Sequence, residues 1–372
     1  MRNAPINRDG AARGSALRRQ PAVFRPDHLK AEIQTGTESK RVRELALEST
    51  EARYMWTDAK PRANGRIKMQ NNYSDEQLRL AARLYYVDGL GQVEVAKFVK
   101  VSQTKISRLL ALARERGIVR ISVAEYEPRD QKLELALQQK FGLKAVAVIK
   151  TIAGATSEDA RLTVAHFGAP FVASLVSPNS TVAISGGRTM RELVQLLPEN
   201  KGLRLTVLQA MGSIDSNVGP VDAFELGRSM ARRWGGSFST LNSPAFVPDK
   251  KTRDAFLNLQ QIRSVWERLG HVDVALVGIG TLDNSVFVER GVLSADDLET
   301  LSRRGAVGEV CGRFYDEKGR ECDSLWRDRV ISIDLDQLRK TPQVIGIIAG
   351  GDRSAAITAA IRGGLLKSLV ID

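Results

Sequence analysis

Residues 185–190 read SGGRTM and combine, in one short segment, groups that proteins use to hold a phosphate. Ser185 and Thr189 offer hydroxyls, and Gly186 and Gly187 let the backbone approach a bound group closely. Arg188 adds a charge-assisted contact. If a helix begins here, its free N–H groups and its dipole also favour an anion. The segment therefore predicts phosphate binding, although a plain tight turn from strand to helix would use the same glycines.

Two other glycine-marked segments follow apolar runs in the same way. Gly278 and Gly280 come after the run at residues 272–277, and residues 349–353 read AGGDR at the end of the run 344–349. In a parallel sheet, ligands bind in the crevice outside the carboxyl ends of the strands. Arg353 is then a second candidate anion contact, with a solvated surface arginine as the alternative.

Glu309 supplies a carboxylate within residues 305–309, which read GAVGE. A carboxylate accepts hydrogen bonds from sugar hydroxyls and can also act as a general base. No acid or base partner stands out beside it in the sequence. This favours a binding or structural group over a catalyst, and we predict no catalytic residue.

A second polar group, at residues 103–108, suits a nucleic acid. Gln103 and Arg108 can form two-pronged hydrogen bonds with adenine and guanine, while Thr104, Lys105 and Ser107 suit bases or phosphates. All five are expected near the exposed N-terminal end of a helix with an apolar inner face. A recognition helix enters the major groove of duplex DNA with its first residues at the base edges.

The flanking residues follow the pattern of a helix-turn-helix. Apolar residues recur at helical spacing in residues 78–85 and again in residues 93–99, and glycines lie between the two runs. Ser102 is placed to cap the third helix through its hydroxyl. Residues 118–123 favour a strand or wing, which makes the predicted unit winged-helix-like. An ordinary three-helix cluster with a polar face is the alternative.

The charge of the chain is concentrated on its first third. The formal net charge is +12, and residues 1–70 hold 15 Lys and Arg against 8 Asp and Glu. Residues 71–123 hold 9 against 5, so the remaining 249 residues carry a net charge of only +1. Because duplex DNA binds cationic surfaces through counterion release, this distribution favours the helix-turn-helix interpretation.

Three segments are predicted along the chain. Residues 1–72 form a basic leader and linker, with a short helix at residues 38–54, and residues 73–123 form the DNA-binding unit. From residue 130 to 372, apolar runs alternate with helix-favouring stretches, which predicts a Rossmann-like α/β domain whose parallel sheet is covered on both faces. The predicted strands are residues 145–149, 181–184, 205–209, 272–277, 330–334, 344–349 and 368–371.

Composition excludes several other classes of protein. Cys311 and Cys322 cannot form a disulfide framework, and three scattered histidines do not suggest a metal site. No apolar run approaches the roughly 20 residues that span a bilayer, and the N-terminus has no apolar signal core. We therefore expect a cytoplasmic protein with no membrane segment, no metal and no cofactor.

Taken in order, the motifs resemble the SorC/DeoR-type sugar-binding transcriptional regulators of bacteria. The resemblance covers roughly residues 73–372. The segments that carry it are ARLYYVDGL, KISRLLALARERGIVRI, ISGGRTM, NSPAFV, VDVALVGIG, GAVGEVCGRF and AGGDRSAAITAAIRGGLLKSLVID.

The resemblance implies a helix-turn-helix joined to a domain similar to ribose-5-phosphate isomerase and glucosamine-6-phosphate deaminase. Such a domain binds a sugar phosphate or related metabolite and assembles the protein into a dimer or tetramer. By this likeness residues 185–189 match the phosphate loop, Glu309 matches an acidic pocket residue and Gln209 lies near the ligand crevice. The family often has a lysine shortly after the late AGG turn. Here the segment is one residue shorter and Arg353 is the nearest cation, so a free sugar or polyol stays open as the ligand.

The function predicted from the sequence is a transcriptional regulator of carbohydrate metabolism that binds double-stranded operator DNA. We expect a homodimer or homotetramer whose DNA binding is modulated by a sugar, sugar phosphate or polyol. The alternative is a sugar-phosphate isomerase or deaminase with a DNA-binding appendage. A nonspecific architectural DNA protein is disfavoured, because it would leave about 240 residues of pocket-bearing domain without a role.

Overall fold

The computed structural model describes residues 73–372, and the chain divides into one unit that ends at Glu125 and a second that runs from Tyr126 to Asp372. The leader, linker and short helix predicted for residues 1–72 lie outside the described residues.

Within residues 73–125, the first unit contains three α-helices. Helix α1 spans Asp75–Ala82 and continues as a π-helical turn at Arg83–Val87, α2 spans Gln92–Val99, and α3 spans Gln103–Glu115. The helical periodicity read from the sequence is correct, since the apolar positions of all three helices share one buried core. The buried residues of α3 are Ile106, Leu109, Leu110 and Ala113.

Two local predictions for this unit are wrong. Ser102 occupies the N-cap position of α3, but its side chain makes no capping hydrogen bond, because the N–H of Lys105 donates to the Ser102 carbonyl at 2.9 Å instead. Residues 118–123 form no strand. Val119 packs into the helical core and donates its N–H to the Ala113 carbonyl at 3.1 Å, so this segment closes α3 rather than forming a wing.

The second unit is built around a seven-stranded sheet, and the predicted parallel α/β architecture is correct. The strands lie in the order β1-β9-β8-β5-β2-β3-β4, and every neighbouring pair is parallel. The bounds are Ala145–Val148 (β1), Thr181–Ile184 (β2), Thr206–Gln209 (β3), Ser237–Ser239 (β4), Val274–Val277 (β5), Gln343–Ile348 (β8) and Ser368–Ile371 (β9). Strands β6 (Gly308–Val310) and β7 (Arg313–Tyr315) form a separate antiparallel hairpin.

Both faces of the sheet are buried. Along every strand of the sheet except the edge strand β4, successive residues enter two different apolar clusters, as Val274 and Leu276 do on one face and Ala275 and Val277 on the other. Continuous apolar strands of this kind are typical of a parallel sheet covered on both sides. The helices of the unit are α4 (Gln131–Phe141), α5 (Ser157–Ser174), α6 (Arg188–Leu196), α7 (Ala223–Arg233), α8 (Lys250–Asn258), α9 (Gln260–Arg268), α10 (Val286–Glu289), α11 (Ala295–Arg303), α12 (Leu335–Lys340) and α13 (Ser354–Arg362).

The chain changes direction across the sheet between β2 and β5. It runs outward from β2 to β3 and β4, and then returns to place β5 on the other side of β2. The chain leaves β2 toward one edge of the sheet and leaves β5 toward the other edge. Where neighbouring strands continue in opposite directions in this way, a crevice opens between the loops at their carboxyl ends. Strand β8 lies on the far side of β5, so three neighbouring strands end beside this crevice.

One predicted strand is wrong and several elements were not foreseen. Residues 330–334 are extended but lie outside the sheet. The N–H of Ile331 donates to Ala245 and that of Ile333 to Ala210, so two different segments satisfy this backbone in turn. Strand β4, helices α8 to α10, helix α12 and the β6–β7 hairpin were not predicted from the sequence.

Truncation of the fully buried Leu276 in the central strand β5 should destabilise the second unit strongly. We expect Leu276→Ala to lower the free energy of unfolding by about 2–5 kcal/mol, because it removes buried methyl groups and leaves a cavity. Leu325 is 79% exposed, and Leu325→Ala should change stability by less than about 0.5 kcal/mol. Denaturant unfolding followed by circular dichroism checks both, and equal losses in the two variants would contradict the core assignment.

Candidate functional site

A cavity of about 400 Å³ opens at the carboxyl ends of β2, β5 and β8. All three glycine-marked segments singled out in the sequence contribute to its wall. The predicted residues that line it are Ser185, Gly186, Gly187, Arg188, Thr189, Gly278, Gly280, Glu309 and Arg353.

The loop after β2 places the start of α6 against the cavity. Gly187 has a φ of +132°, a conformation that side chains disfavour, and its N–H donates to the Val221 carbonyl at 2.8 Å. Gly186 also needs its lack of a side chain, because a Cβ there would lie 2.7 Å from the Val221 oxygen. Within the described part of the chain no side chain caps α6, so its first-turn N–H groups remain available for an anion.

Three arginines surround the same end of the cavity. Arg188 begins α6, Arg161 comes from α5 and Arg353 precedes α13. Burial lowers the pKa of the Arg353 guanidinium, and the charges of Arg188 and Arg161 lower it further. Its Nε atom is buried and has no hydrogen-bond partner among residues 73–372. A bound anion would both neutralise this cluster and use the unpaired donor.

Two ion pairs fix the short helix α10 beside these arginines. The Arg188 Nη2 atom donates to the Glu289 Oε1 atom at 2.8 Å. The next residue, Arg290, pairs with Asp215 in the loop after β3. Helix α10 is therefore tied by adjacent residues to two different walls of the cavity.

The buried carboxyl of Glu309 lies at the inner part of the cavity. Burial raises its pKa from the ordinary 4.5 to about 7, although hydrogen bonds from the Gly312 N–H and from Ser285 oppose this shift. Gly280 closes over it, since a Cβ at that position would lie 2.6 Å from the Glu309 Oε2 atom. Near neutral pH this group is poised between an acceptor-only carboxylate and a carboxylic acid that can also donate.

Gln209 does not line the cavity, contrary to the expectation drawn from the resemblance. It ends β3 and is 1% exposed. Its Oε1 atom accepts hydrogen bonds from the Leu241 N–H at 3.1 Å and from the Thr240 hydroxyl. The side chain therefore joins β3 to the segment after β4 and contributes to the fold.

Arg161, Asn284 and Glu289 also line the cavity, although the sequence did not predict them there. Arg161 lies within an ordinary helical pattern, and the other two lie between Gly280 and Gly291, in a stretch for which the sequence predicted no helix or strand. They are identified only by their position in the folded structure beside the three strand ends, which no local sequence motif predicts.

The candidate DNA contacts lie on the first unit. Gln103, Thr104, Lys105, Ser107 and Arg108 are all exposed on the first two turns of α3. The Ser107 hydroxyl donates to the Gln92 Oε1 atom at the start of α2 with a distance of 2.8 Å. The five side chains therefore form one solvent-facing polar surface above the buried face of α3.

No helix within residues 73–372 is both long and apolar enough to cross a membrane. Over the same residues there is no group of three or more His, Cys, Asp or Glu side chains arranged to hold a metal ion.

The fold and the cavity define an α/β ligand-binding unit that follows an N-terminal helical unit. The sequence model of the family described as "Putative sugar-binding domain" matches residues 128–372. The chain is 29% identical over 312 residues to the sorbitol operon regulator of Klebsiella pneumoniae, covering 81% of this chain and 96% of the relative. It is 28% identical over 298 residues to the deoxyribonucleoside regulator of Bacillus subtilis, covering 78% and 93%.

A solved structure supports the same assignment. The full-length sorbitol operon regulator SorC from Klebsiella pneumoniae superposes with a TM-score of 0.64 at 28% identity, and the match covers 81% of this chain and 97% of that one. The protein belongs to the SorC/DeoR-type family of transcriptional regulators with a sugar-binding domain, as the sequence motifs predicted.

The raised pKa of Glu309 makes a testable contribution to the pH dependence of stability. Between pH 4.5 and about 7 the folded protein keeps a proton that the unfolded chain releases, so the free energy of unfolding falls as the pH rises through this window. Glu309→Gln cannot ionise. The stability of Glu309→Gln relative to the wild type should therefore increase between pH 5 and pH 8, by on the order of 1–3 kcal/mol. Thermal unfolding across this range measures it, and a difference that stays constant with pH would contradict the buried-carboxyl assignment.

Proposed function

We propose that the protein is a transcriptional regulator whose binding to double-stranded operator DNA is modulated by a sugar phosphate held in the cavity. The observation that carries this proposal is the meeting of the uncapped α6 N-terminus with Arg161, Arg188 and Arg353 in one cavity. The names of the relatives, which are regulators of sorbitol and deoxyribonucleoside operons, support the sugar class of the ligand.

The proposed ligand has a phosphate at one end and hydroxyl groups at the other. The phosphate takes the first-turn N–H groups of α6 and the arginines, while the sugar hydroxyls reach Glu309. A free sugar or polyol would use Glu309 but would leave Arg161 and Arg353 without an anion, with Arg188 paired only to Glu289. The charge of the cavity therefore favours the phosphorylated ligand over the neutral ones.

The proposed DNA-binding unit spans residues 73–123, and the proposed effector unit spans residues 130–372. Gln103, Thr104 and Arg108 would read base edges from α3, with Lys105 and Ser107 at bases or phosphates. The geometry that supports this is the exposure of all five on one short, basic helix end.

We propose that a homodimer or homotetramer places two or more α3 helices on operator half-sites. Ligand then acts by linkage: it binds one arrangement of the subunits more tightly and so shifts the spacing of these helices. A regulator of chromosomal operons acts in the cytoplasm, which is the location we propose.

The alternative, a sugar-phosphate isomerase or deaminase, draws its support from Glu309, whose pKa of about 7 suits a general base. The regulator is favoured because the Glu309 carboxyl already accepts the Gly312 N–H, and no lysine lines the described cavity as a partner. Turnover of pentose or amino-sugar phosphates by the purified protein would establish the enzymatic alternative.

Removal of the Arg188 guanidinium should abolish recognition of the phosphate. We expect a sugar phosphate that raises the melting temperature of the wild type to lose most of that effect in Arg188→Ala, because binding stabilises only the folded state. A thermal-shift screen of sugars, polyols and their phosphates measures this. Arg303→Ala, at the exposed end of α11, is the control and should retain the shift. Stabilisation by neutral polyols alone would argue against a phosphorylated ligand.

Removal of the Arg108 side chain should weaken DNA binding while leaving ligand binding intact. Loss of one bidentate base contact costs about 1–3 kcal/mol, so we expect Arg108→Ala to bind a selected operator roughly 5- to 150-fold more weakly. Fluorescence anisotropy on operator DNA measures the affinity, and the thermal shift with ligand shows that the effector unit is unaffected. Unchanged operator affinity would contradict the assignment of α3 as the recognition helix.

A further inference from the structure

The carboxylate of Glu289 forms an ion pair with Arg188, the arginine that an anionic ligand would use. Arg188 begins α6 within the predicted phosphate loop, and Glu289 ends α10 on the facing wall. Their side chains are 2.8 Å apart, and both residues line the cavity. The two side chains are 48% and 40% exposed, so solvent screens the pair and an incoming anion can reach it.

Glu289 also acts on the wider arginine cluster. The charges of Glu289 and Asp372 oppose the repulsion that Arg353 receives from Arg188 and Arg161. The Asp372 carboxylate already accepts the N–H of Gly350 at 2.9 Å. Of these two carboxylates, Glu289 is the one that bonds directly to an arginine of the cluster.

The position of Glu289 depends on a short element that is held at both ends. Helix α10 has four residues, its N-terminus is capped by the Ser285 hydroxyl, and its Phe287 side chain is fully buried. Arg290, directly after the helix, pairs with Asp215. Release of Glu289 from Arg188 would therefore leave α10 anchored by Phe287 and Arg290, with its contact to the phosphate loop broken.

We propose that Glu289 is a built-in competitor for the anionic group of the ligand, which selects a dianionic phosphate over a singly charged carboxylate. In the empty cavity Glu289 neutralises Arg188. A phosphate, with about −1.5 to −2 charges and three acceptor oxygens, displaces it, whereas a carboxylate offers Arg188 no more than Glu289 already does. This proposal rests on the proposed function, because it requires an anion at Arg188.

The test compares Glu289→Gln with the wild type by isothermal titration calorimetry of the full-length protein, using inorganic phosphate and acetate as probes. Glu299→Gln is the matched control, because it makes the same change of charge at the exposed Glu299–Arg303 pair of α11. We expect Glu289→Gln to bind phosphate roughly two- to fivefold more tightly, the range set by the free energy of exposed ion pairs. Acetate binding should become detectable or strengthen, and Glu299→Gln should match the wild type for both probes.

Equal or weaker phosphate binding by Glu289→Gln would overturn the competitor role. An equal gain in Glu299→Gln would also overturn it, since the effect would then reflect net charge alone. Glu289→Asp keeps the charge but shortens the reach to Arg188, so it should show a smaller gain and provides a second test if Glu289→Gln folds poorly. Arg188→Ala separates the two proposals: if it loses phosphate binding while Glu289→Gln gains none, the phosphate site stands and only the competitor role fails. If Arg188→Ala binds phosphate like the wild type, both proposals fail.

Discussion

The parallel pairing of β2 with β5 is the constraint on which the rest of the site depends. Val182 pairs with Val274 and Ile184 with Leu276, and β8 continues the register on the other side of β5. Because side chains alternate between faces, a shift of one residue would turn every buried side chain of β2 toward the opposite cluster. The register is therefore fixed by packing on both faces. It brings three strand ends, each from a distant part of the sequence, to the edge of one cavity.

The sequence was most informative where a strand is buried on both faces. The apolar runs at Thr181–Ile184 and Ser368–Ile371 match the observed strands residue for residue, because a short run that is buried on both faces is typical of a strand inside a parallel sheet. The same signal failed at residues 330–334, which are equally apolar but are buried by pairing with two separate segments. An apolar run predicts burial, and the partner that satisfies its backbone is decided by tertiary structure. Strands β4, β6 and β7 were also missed. Each has only three residues, which is too short to show a distinct apolar run.

The sequence identified the glycine-rich backbone segments that line the candidate cavity more fully than it identified the side chains that line it. Glycines at strand ends are required by close approach, as at Gly186, and that requirement can be read locally. Whether a polar side chain lines the cavity or is hydrogen-bonded within the fold cannot be predicted from its local sequence. Gln209 and Glu309 both lie in buried strands, β3 and β6. The Gln209 oxygen accepts the Leu241 N–H and the side chain does not line the cavity, whereas Glu309 does. Arg161, in α5, and Glu289, in α10, also line the cavity, but neither lies in a sequence motif that predicts this position.

The charges of the cavity give a bound ligand a single favourable orientation. Arginines and the α6 N-terminus lie at one end, where the negative charge of a phosphate would be stabilised. Glu309, at the other part of the cavity, is costly to ionise because it is buried, and its pKa of about 7 leaves it partly protonated near neutral pH. A hydroxyl group can donate to its ionised form or accept from its protonated form, whereas an anion there would meet repulsion or an added desolvation cost. The proposed sugar phosphate would satisfy both ends only with its phosphate at Arg188. The distribution of charge in the cavity would then set the orientation of this ligand independently of contacts to its individual hydroxyls.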